Sequence, residues 1–191
     1  MKYIKYILVT SFLFLAACNS YNIQTNMSRD VLPFEFTTQD NETLKLEDLE
    51  GKWWIADLIF TNCTTVCSPM TTNMANLQEK MKAEEIDVEL VSFSVDPDHD
   101  TPEVLKEYAA KHNADLGNWS FLTGYDFQTI KELSIKSFQS SLLEAPEGSD
   151  QLTHGTSFYL VNPEGEVIKK YKGTFSEETD LIIDDLKKVA K

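Results

Sequence analysis

The stretch Phe60–Met70, FTNCTTVCSPM, places two cysteines, Cys63 and Cys67, between two segments of different character. The residues that lead into it, KWWIADLIF at 52–60, form a near-continuous apolar run of strand length, which predicts a buried central strand. The residues that follow, SPMTTNMANLQEKMKAEE at 68–85, begin with a Ser-Pro helix entry and carry apolar residues at helical spacing. The two thiols are therefore expected where a strand ends and a helix begins.

Two features of these flanking segments can be interpreted in more than one way. The apolar row of the helix is rich in methionine, and thioethers are soft metal ligands, but this spacing is typical of the core face of a helix and we expect a core role. Asp57 interrupts the apolar strand, and we interpret it as a strand-edge carboxylate with a local partner. The apolar row comprises Met70, Met74, Leu77 and Met81.

Strands and helices alternate along the rest of the chain. This order predicts an α/β protein with a mixed central sheet, helices on both faces and an N-terminal β-hairpin. A cysteine pair at the end of the first long strand makes this arrangement resemble the thioredoxin-like fold. The predicted segments are a hairpin at 34–49, strands at 87–96 and 119–124, helices at 100–113 and 126–138, a loop at 140–152, a hairpin at 153–173 and a helix at 176–190.

The position of the two thiols makes them reactive. Backbone N–H groups and the helix dipole stabilise a thiolate at a helix N-terminus, which lowers its pKa below the free value of about 8.5. Cys63 and Cys67 stand at i and i+4, about one helical turn apart. Such a pair can form a disulfide, since Cα atoms up to ~6.8 Å apart can be bridged. The same spacing also allows both sulfurs to bind one metal ion. A purely structural disulfide closing so small a loop would gain little chain entropy.

Two thiolates favour Cu(I) or Zn(II) over hard cations, and a histidine would be a suitable third ligand. His112 lies at a predicted helix C-terminus, where an imidazolium would interact favourably with the helix dipole. His99 follows a strand end that shares the cysteine edge of the sheet if the strands are parallel. His154 follows a long acidic loop and opens a hairpin strand, which returns beside the cysteine edge in a thioredoxin-like arrangement.

The N-terminus predicts export. Residues 1–17 combine Lys2 and Lys5 with an apolar run that is too short to cross a bilayer, which is typical of a signal peptide. The following LAAC resembles a lipoprotein lipobox, so we expect Cys18 to be lipidated; the alternative is an ordinary signal peptide with an unmodified cysteine. Residues 18–32 then predict a flexible tether and residues 33–191 the folded domain. The expected location is extracytoplasmic, lipid-anchored to the outer face of the bacterial cytoplasmic membrane.

The charge of the chain excludes some partners. The formal net charge is −14, and loss of residues 1–17 would leave −16. Because this surface repels phosphate backbones and anionic head groups, we expect no nucleic-acid partner, whereas a basic protein or a metal ion would fit.

From about Leu32 to Gly173 the chain resembles the Sco/SenC family of thioredoxin-like copper proteins. The resemblance is carried by FTNCTTVCSPM, SVDPDHDTPEVLKEYA, WSFLTG and His154 ahead of FYLVNPEGEV. It implies that Cys63, Cys67 and His154 bind one copper ion, as Cu(I) or Cu(II), and that Asp96 orients or polarises the site or else serves only as a carboxylate at the helix entry. Many family members have proline after a cysteine. Here Thr64 and Ser68 stand in those positions, which affects helix entry but removes no ligand.

The resemblance also implies a function. The protein would be a copper metallochaperone for the CuA centre in subunit II of cytochrome c oxidase rather than a turnover enzyme, with the acidic loop 142–150 gating His154. The alternative is a thiol-disulfide oxidoreductase that keeps the recipient's cysteines reduced, in which Cys63 attacks, Cys67 resolves and an extracytoplasmic thiol-disulfide reductase restores the pair. A thiol peroxidase fits poorly, because LIFTNC lacks the proline of the peroxidatic motif.

Overall fold

The computed structural model describes residues 21–63 and 65–190. An eight-stranded mixed sheet forms the centre of the described part, and a two-stranded ribbon lies beside it. The elements are β1 (Arg29–Asp30), β2 (Glu35–Thr38), β3 (Thr43–Lys45), a 3-10 helix at Leu46–Leu49, β4 (Trp54–Ile59), α1 (Cys67–Ala83), β5 (Glu89–Ser94), α2 (Pro102–Lys111), β6 (Trp119–Thr123), α3 (Phe127–Phe138), β7 (Leu142–Leu143), β8 (Thr153–His154), β9 (Ser157–Val161), β10 (Glu166–Lys172) and α4 (Glu178–Val189).

The strand order of the large sheet is β1-β10-β9-β4-β5-β6-β2-β3. Strands β4, β5 and β6 are parallel, and the remaining pairs are antiparallel. Every residue of β4 is buried, as expected for a central strand covered on both faces. Because parallel strands end at the same edge, the turn after β4 and the loop after β5 lie side by side, and that edge carries the cysteines.

Helices cover both faces of the sheet, as predicted. Side chains alternate along β4, so that Ile55 and Ile59 pack with α1, α2 and α4, while Trp54 and Leu58 pack with α3 and the N-terminal segment. The four apolar residues of the α1 row are fully buried in the first of these layers, which confirms the core interpretation of the methionines.

The two predicted hairpins are present. Strands β2 and β3 pair around Phe36 and Leu44 and form the N-terminal hairpin. Strands β9 and β10 are joined by a turn in which Gly165 has φ +80°, a conformation that favours glycine. The fold class is therefore the predicted mixed α/β arrangement.

The segment predicted as a flexible tether is ordered where the structure describes it. Within residues 21–32, Arg29–Asp30 forms strand β1 against β10, and Met27 and Val31 are buried in the core. The prediction failed because the segment's polarity and lack of periodicity were interpreted as signs of flexibility. A short edge strand needs only a few apolar side chains and backbone hydrogen bonds to a neighbouring strand.

In the described part of the chain, the helices are all too short or too polar to cross a bilayer. The predicted signal peptide at 1–17 and the predicted lipidation site Cys18 lie outside the described residues.

Candidate metal centre

The two cysteines occupy the junction predicted from the sequence. Strand β4 ends at Ile59, a turn follows in which the Cys63 N–H donates to the Phe60 carbonyl (3.4 Å), and α1 begins at Cys67. Pro69 fits the first turn of α1, where an N–H has no partner within the helix. Cys63 is half-buried, Cys67 is 1% exposed, and both are free thiols. The Cys67 N–H donates to Cys63 Sγ at 3.3 Å, so the helix N-terminus points at the first sulfur.

His154 is brought to the same place by the two-stranded ribbon. It lies opposite Leu142 in the pairing of β7 with β8 and is 8% exposed. Its Nδ1 lies 2.9 Å from the Gly155 carbonyl oxygen, which only accepts, so Nδ1 carries a proton. Its Nε2 faces Cys67 Sγ at 3.1 Å, and Phe60 packs edge-on against the ring with centroids 5.6 Å apart. The ring is thereby fixed with Nε2 towards the sulfurs.

Cys63 Sγ, Cys67 Sγ and a ring nitrogen of His154 all lie within 4.8 Å of one another. Among residues 21–63 and 65–190, this is the one group of three such ligands close enough to share an ion. Two sulfurs and one imidazole form a soft ligand set that fits Cu(I), whereas a structural zinc site needs four protein ligands. The predicted ligand trio is therefore assembled by the fold.

The two thiols differ in acidity. Burial raises the pKa of the Cys63 thiol, but hydrogen bonds with the side chains of His154 and Cys67 and with the backbone of Thr65 and Cys67 outweigh it and lower the pKa to about 5. For Cys67, burial and the neighbouring Cys63 raise the pKa well above the ordinary value. Of the two thiols, Cys63 is therefore the more easily ionised and the more reactive at neutral pH.

Asp57 is not the strand-edge carboxylate that the sequence suggested. It is fully buried in the middle of β4, on the face covered by α1 and α2. Its Oδ1 accepts from the Ser92 hydroxyl (2.6 Å), while Oδ2 has no hydrogen-bond partner. Burial raises its pKa to about 7, while the hydrogen bond with Ser92 and the electrostatic interaction with His154 oppose this shift. The local partner that we expected exists, but it satisfies only one oxygen.

The loop after β5 carries Asp96, His99 and Asp100, which have different surroundings. Asp96 lies in the turn after the strand, where its N–H donates to Ser94 Oγ (3.1 Å) and where burial and Asp100 raise its pKa. His99 is exposed and outside the ligand trio. Asp100 is fully buried and accepts hydrogen bonds from Thr61 and Ser94.

Two residues at the ends of α2 have structural contacts. Thr101 caps the start of the helix, since its hydroxyl accepts from the Val104 N–H (3.4 Å). His112 is the C-cap of α2, as predicted, and its ring packs on Tyr108 with centroids 4.6 Å apart. His112 therefore has a structural position away from the cysteines.

The acidic loop between β7 and β8 is fastened to the cysteine turn. The Asn62 side-chain amide donates to Asp150 Oδ2 (2.6 Å), and the Gln151 amide donates to the Asn62 carbonyl (3.0 Å). We call these two bonds the Asn62 latch.

The sequence did not predict the roles of Asn62 and Asp100, because their hydrogen-bond partners are distant in the chain. The available signals were the Asn beside Cys63 and the Asp-Pro-x-x-Asp-Thr-Pro pattern.

With this geometry established, the chain can be compared with known proteins. The family model described as SCO1/SenC matches residues 23–191. This chain therefore belongs to the SCO1/SenC family.

Solved structures agree with that assignment. A SCO1/SenC family lipoprotein from Bacillus anthracis str. Ames is 48% identical with a TM-score of 0.82, over 85% of this chain and 96% of that one. BsSco, described as having a disulfide switch and as a member of the Sco family of cytochrome c oxidase assembly proteins, is 47% identical with a TM-score of 0.79, over 88% and 99%. Arabidopsis thaliana ScoI with copper bound is 25% identical with a TM-score of 0.69, over 82% and 97%. These neighbours confirm the thioredoxin-like fold.

Proposed function

We propose that this protein is a copper metallochaperone that helps to build the CuA centre in subunit II of cytochrome c oxidase. The observation that carries the proposal is the convergence of Cys63, Cys67 and His154 within 4.8 Å. Membership of the family that includes BsSco supports the link to oxidase assembly, and the copper-bound Arabidopsis relative supports the choice of metal.

The residues would act on a single copper ion in distinct ways. Cys63 already presents a thiolate, Cys67 supplies a second sulfur after losing its proton, and His154 offers the lone pair of Nε2. Bound copper would supply the cargo for the recipient protein. Asp96, in the neighbouring loop, would orient or polarise the site from outside the ligand set.

Delivery requires that the copper ion be bound tightly and then released. His154 is carried by the ribbon that borders the acidic loop, so movement of loop 142–150 would withdraw one of three ligands. The net charge of −14 favours a recipient with a basic docking surface and disfavours nucleic acid. Lipidation at Cys18 would hold the domain on the outer face of the cytoplasmic membrane, and the related lipoprotein from B. anthracis supports this placement.

One observation favours a second function, thiol-disulfide exchange with the recipient. A low-pKa, half-buried Cys63 beside a protonated, buried Cys67 is the arrangement of an attacking and a resolving thiol. The disulfide switch described for BsSco supports it. The two functions are compatible, because oxidation of the pair would release copper and a thiol-disulfide reductase would restore the site.

The test is a titration of the reduced full-length protein in detergent with Cu(I), read by competition with a chelator. We expect one tightly bound ion, loss of binding when Cys63 and Cys67 are oxidised to a disulfide, and a decrease in affinity of at least ~100-fold for His154→Ala, the upper end of the cost of losing an outer partner of a ligand. His112→Ala is the matched control and should bind as the wild type does. Equal affinities for the two histidine variants would remove His154 from the site, and weak binding with fast reduction of a test disulfide would favour the second function.

A further inference from the structure

Cys63 lies outside regular secondary structure, in the turn between β4 and α1. Its own backbone bond to Phe60 is long, at 3.4 Å, and offers little restraint. The position of its sulfur must therefore depend on what holds the preceding residues of the turn.

Asp100 holds that turn from the neighbouring loop. Its carboxylate accepts from the Thr61 N–H (3.2 and 3.3 Å to the two oxygens), from the Thr61 hydroxyl (2.6 Å) and from the Ser94 hydroxyl (2.6 Å). Asp100 is itself fixed, since its N–H donates to the Asp96 carbonyl at 2.8 Å. Because β4 and β5 are parallel neighbours with Ile59 opposite Ser94, the carboxylate bridges the ends of the two strands.

A role for Asp100 in the adjacent helix does not explain these contacts. Thr101 supplies the cap of α2, so the Asp100 carboxylate is not needed there. The side chain is fully buried, and a buried carboxylate is costly unless several donors satisfy it. Every side-chain bond recorded for it goes to the end of β5 or to the turn that leads to Cys63.

We propose that Asp100 is a positioning residue for Cys63, and that it acts through Thr61. Holding Thr61 keeps Cys63 Sγ in line with the Cys67 N–H at 3.3 Å and next to His154. These contacts hold the Cys63 sulfur where it can meet a metal ion or a disulfide. The inference deepens the proposed function, since it concerns the same cysteine.

The test compares isosteric variants of Thr61 and Asp100 in the reduced, metal-free full-length protein. The readout is the rate at which the cysteine pair reduces a test disulfide at pH 7, which depends on where the Cys63 sulfur is held. Thr61→Val removes the hydroxyl and Asp100→Asn removes a carboxylate oxygen that accepts from Thr61, and each should lower this rate about tenfold. Thr61→Ser keeps the hydroxyl and should retain the wild-type rate.

Two controls separate positioning from stability. Asp185→Asn alters another buried carboxylate, which accepts from Lys169 and Tyr171 of β10, and should leave the exchange rate unchanged whatever its effect on unfolding. The double variant Thr61→Val/Asp100→Asn should lower the rate no further than Asp100→Asn alone, because the two residues act as a unit.

Wild-type exchange rates for Thr61→Val and Asp100→Asn, or fully independent losses in the double variant, would overturn the proposal. If Asp100→Asn does not fold, the comparison of Thr61→Val with Thr61→Ser decides the question. The Cu(I) affinity of Thr61→Val should also fall by about tenfold. Failure of the wild type to bind Cu(I) would refute copper delivery, yet the exchange rates of the metal-free protein would still test the role of Asp100.

Discussion

The carboxyl group of Asp57 lies in the apolar layer between the sheet and the helices α1 and α2. Ser92 satisfies one oxygen at 2.6 Å and is itself held by the Trp119 indole N–H at 2.9 Å, while the other oxygen has no partner. A buried, half-satisfied carboxylate favours its protonated form, and its pKa is accordingly raised to about 7. Ionisation of this group must therefore oppose folding.

The pH dependence of stability should show this effect. Because the folded-state pKa is raised, the contribution of protonated Asp57 is fully present below the ordinary value of 3.8 and is lost as pH rises to about 7. Asp57→Asn removes the titration, and relative to the wild type it should gain up to about 4 kcal/mol between those limits. Urea unfolding at several pH values measures the difference. Asp185→Asn is the control. Because the pKa of Asp185 is lowered in the fold, the stability of this variant relative to the wild type should change with pH in the opposite direction. A constant difference between wild type and Asp57→Asn would contradict the prediction.

The asymmetry of the two thiols should be visible in alkylation. With reduced, metal-free protein, iodoacetamide should modify Cys63 first, with a rate that reaches half its maximum near pH 5, because this thiol has the lowered pKa. Cys67 is buried with a raised pKa and should react only after unfolding. Peptide mass spectrometry assigns the modified residue, and Cys63→Ser serves as the control. Equal labelling of both cysteines in the folded protein would show that the site is more open than described.

At this scale the sequence could predict the residues that carry chemistry but not those that support them. Cys63 and Cys67 stand out by spacing, and His154 by its place before a hairpin. The support from Asp100 could not be predicted, because its bond to Thr61 requires that β4 and β5 end side by side. The surroundings of Asp57 likewise depend on Ser92, which lies on the neighbouring strand.

In the proposed function, the loop between β7 and β8 is the element whose movement would open the site. The Asn62 latch, which consists of polar, exposed bonds, attaches this loop to the cysteine turn. Exposed bonds of this kind are weak and open readily, which suits the proposed gating of His154.

Breaking the latch should therefore loosen the loop without unfolding the protein. Asp150→Ala removes the acceptor for the Asn62 amide and should raise hydrogen exchange in residues 144–152 by about threefold to tenfold, with a similar increase in the rate of Cu(I) release to a chelator. Glu147→Ala removes a charge from the same loop and is the matched control. If both variants exchange and release copper equally, the latch does not restrain the loop.

Periodicity and turn chemistry were sufficient to predict most elements. The apolar row of α1 and the alternation of strands and helices along the chain indicated the observed structure, because in these segments local preference and tertiary packing agree. The short strand β1 was missed because two residues have no periodicity, and its pairing partner lies more than 130 positions away in sequence, at Val167 and Glu166.

For the molecule as a whole, the N-terminal segment is part of the folded domain. It runs along β10 and forms the edge strand β1, and on either side of β1 the Asn26 and Met27 N–H groups donate to the Ile168 carbonyl (3.1 Å each) and the Val31 N–H donates to the Gly165 carbonyl (2.9 Å). Tyr21 packs edge-on against Trp53 with ring centroids 4.9 Å apart. The segment thus covers an edge that would otherwise offer unpaired backbone groups to another chain.

Truncation at the boundary predicted from the sequence should consequently destabilise the protein. A chain of residues 33–191 loses the burial of Met27 and Val31, each worth roughly 1.5–3 kcal/mol, and exposes the edge of β10. Relative to a chain of residues 21–191, its free energy of unfolding should fall by about 3–6 kcal/mol, and it should aggregate more readily at equal concentration. Urea unfolding followed by circular dichroism, with light scattering on the same samples, measures both effects.

A full-length variant shows whether the segment stabilises the protein through its buried side chains. Met27→Ala/Val31→Ala keeps the backbone hydrogen bonds along β10 but removes the buried side chains, so it should account for most of the loss in unfolding free energy without aggregating more than the wild type. Thr25→Ala, at an exposed position of the same segment, should unfold as the wild type does. Equal stability of the 33–191 and 21–191 chains would mean that the segment rests on the domain without stabilising it. In that case residues 21–32 would be free to act as the tether that their composition suggested.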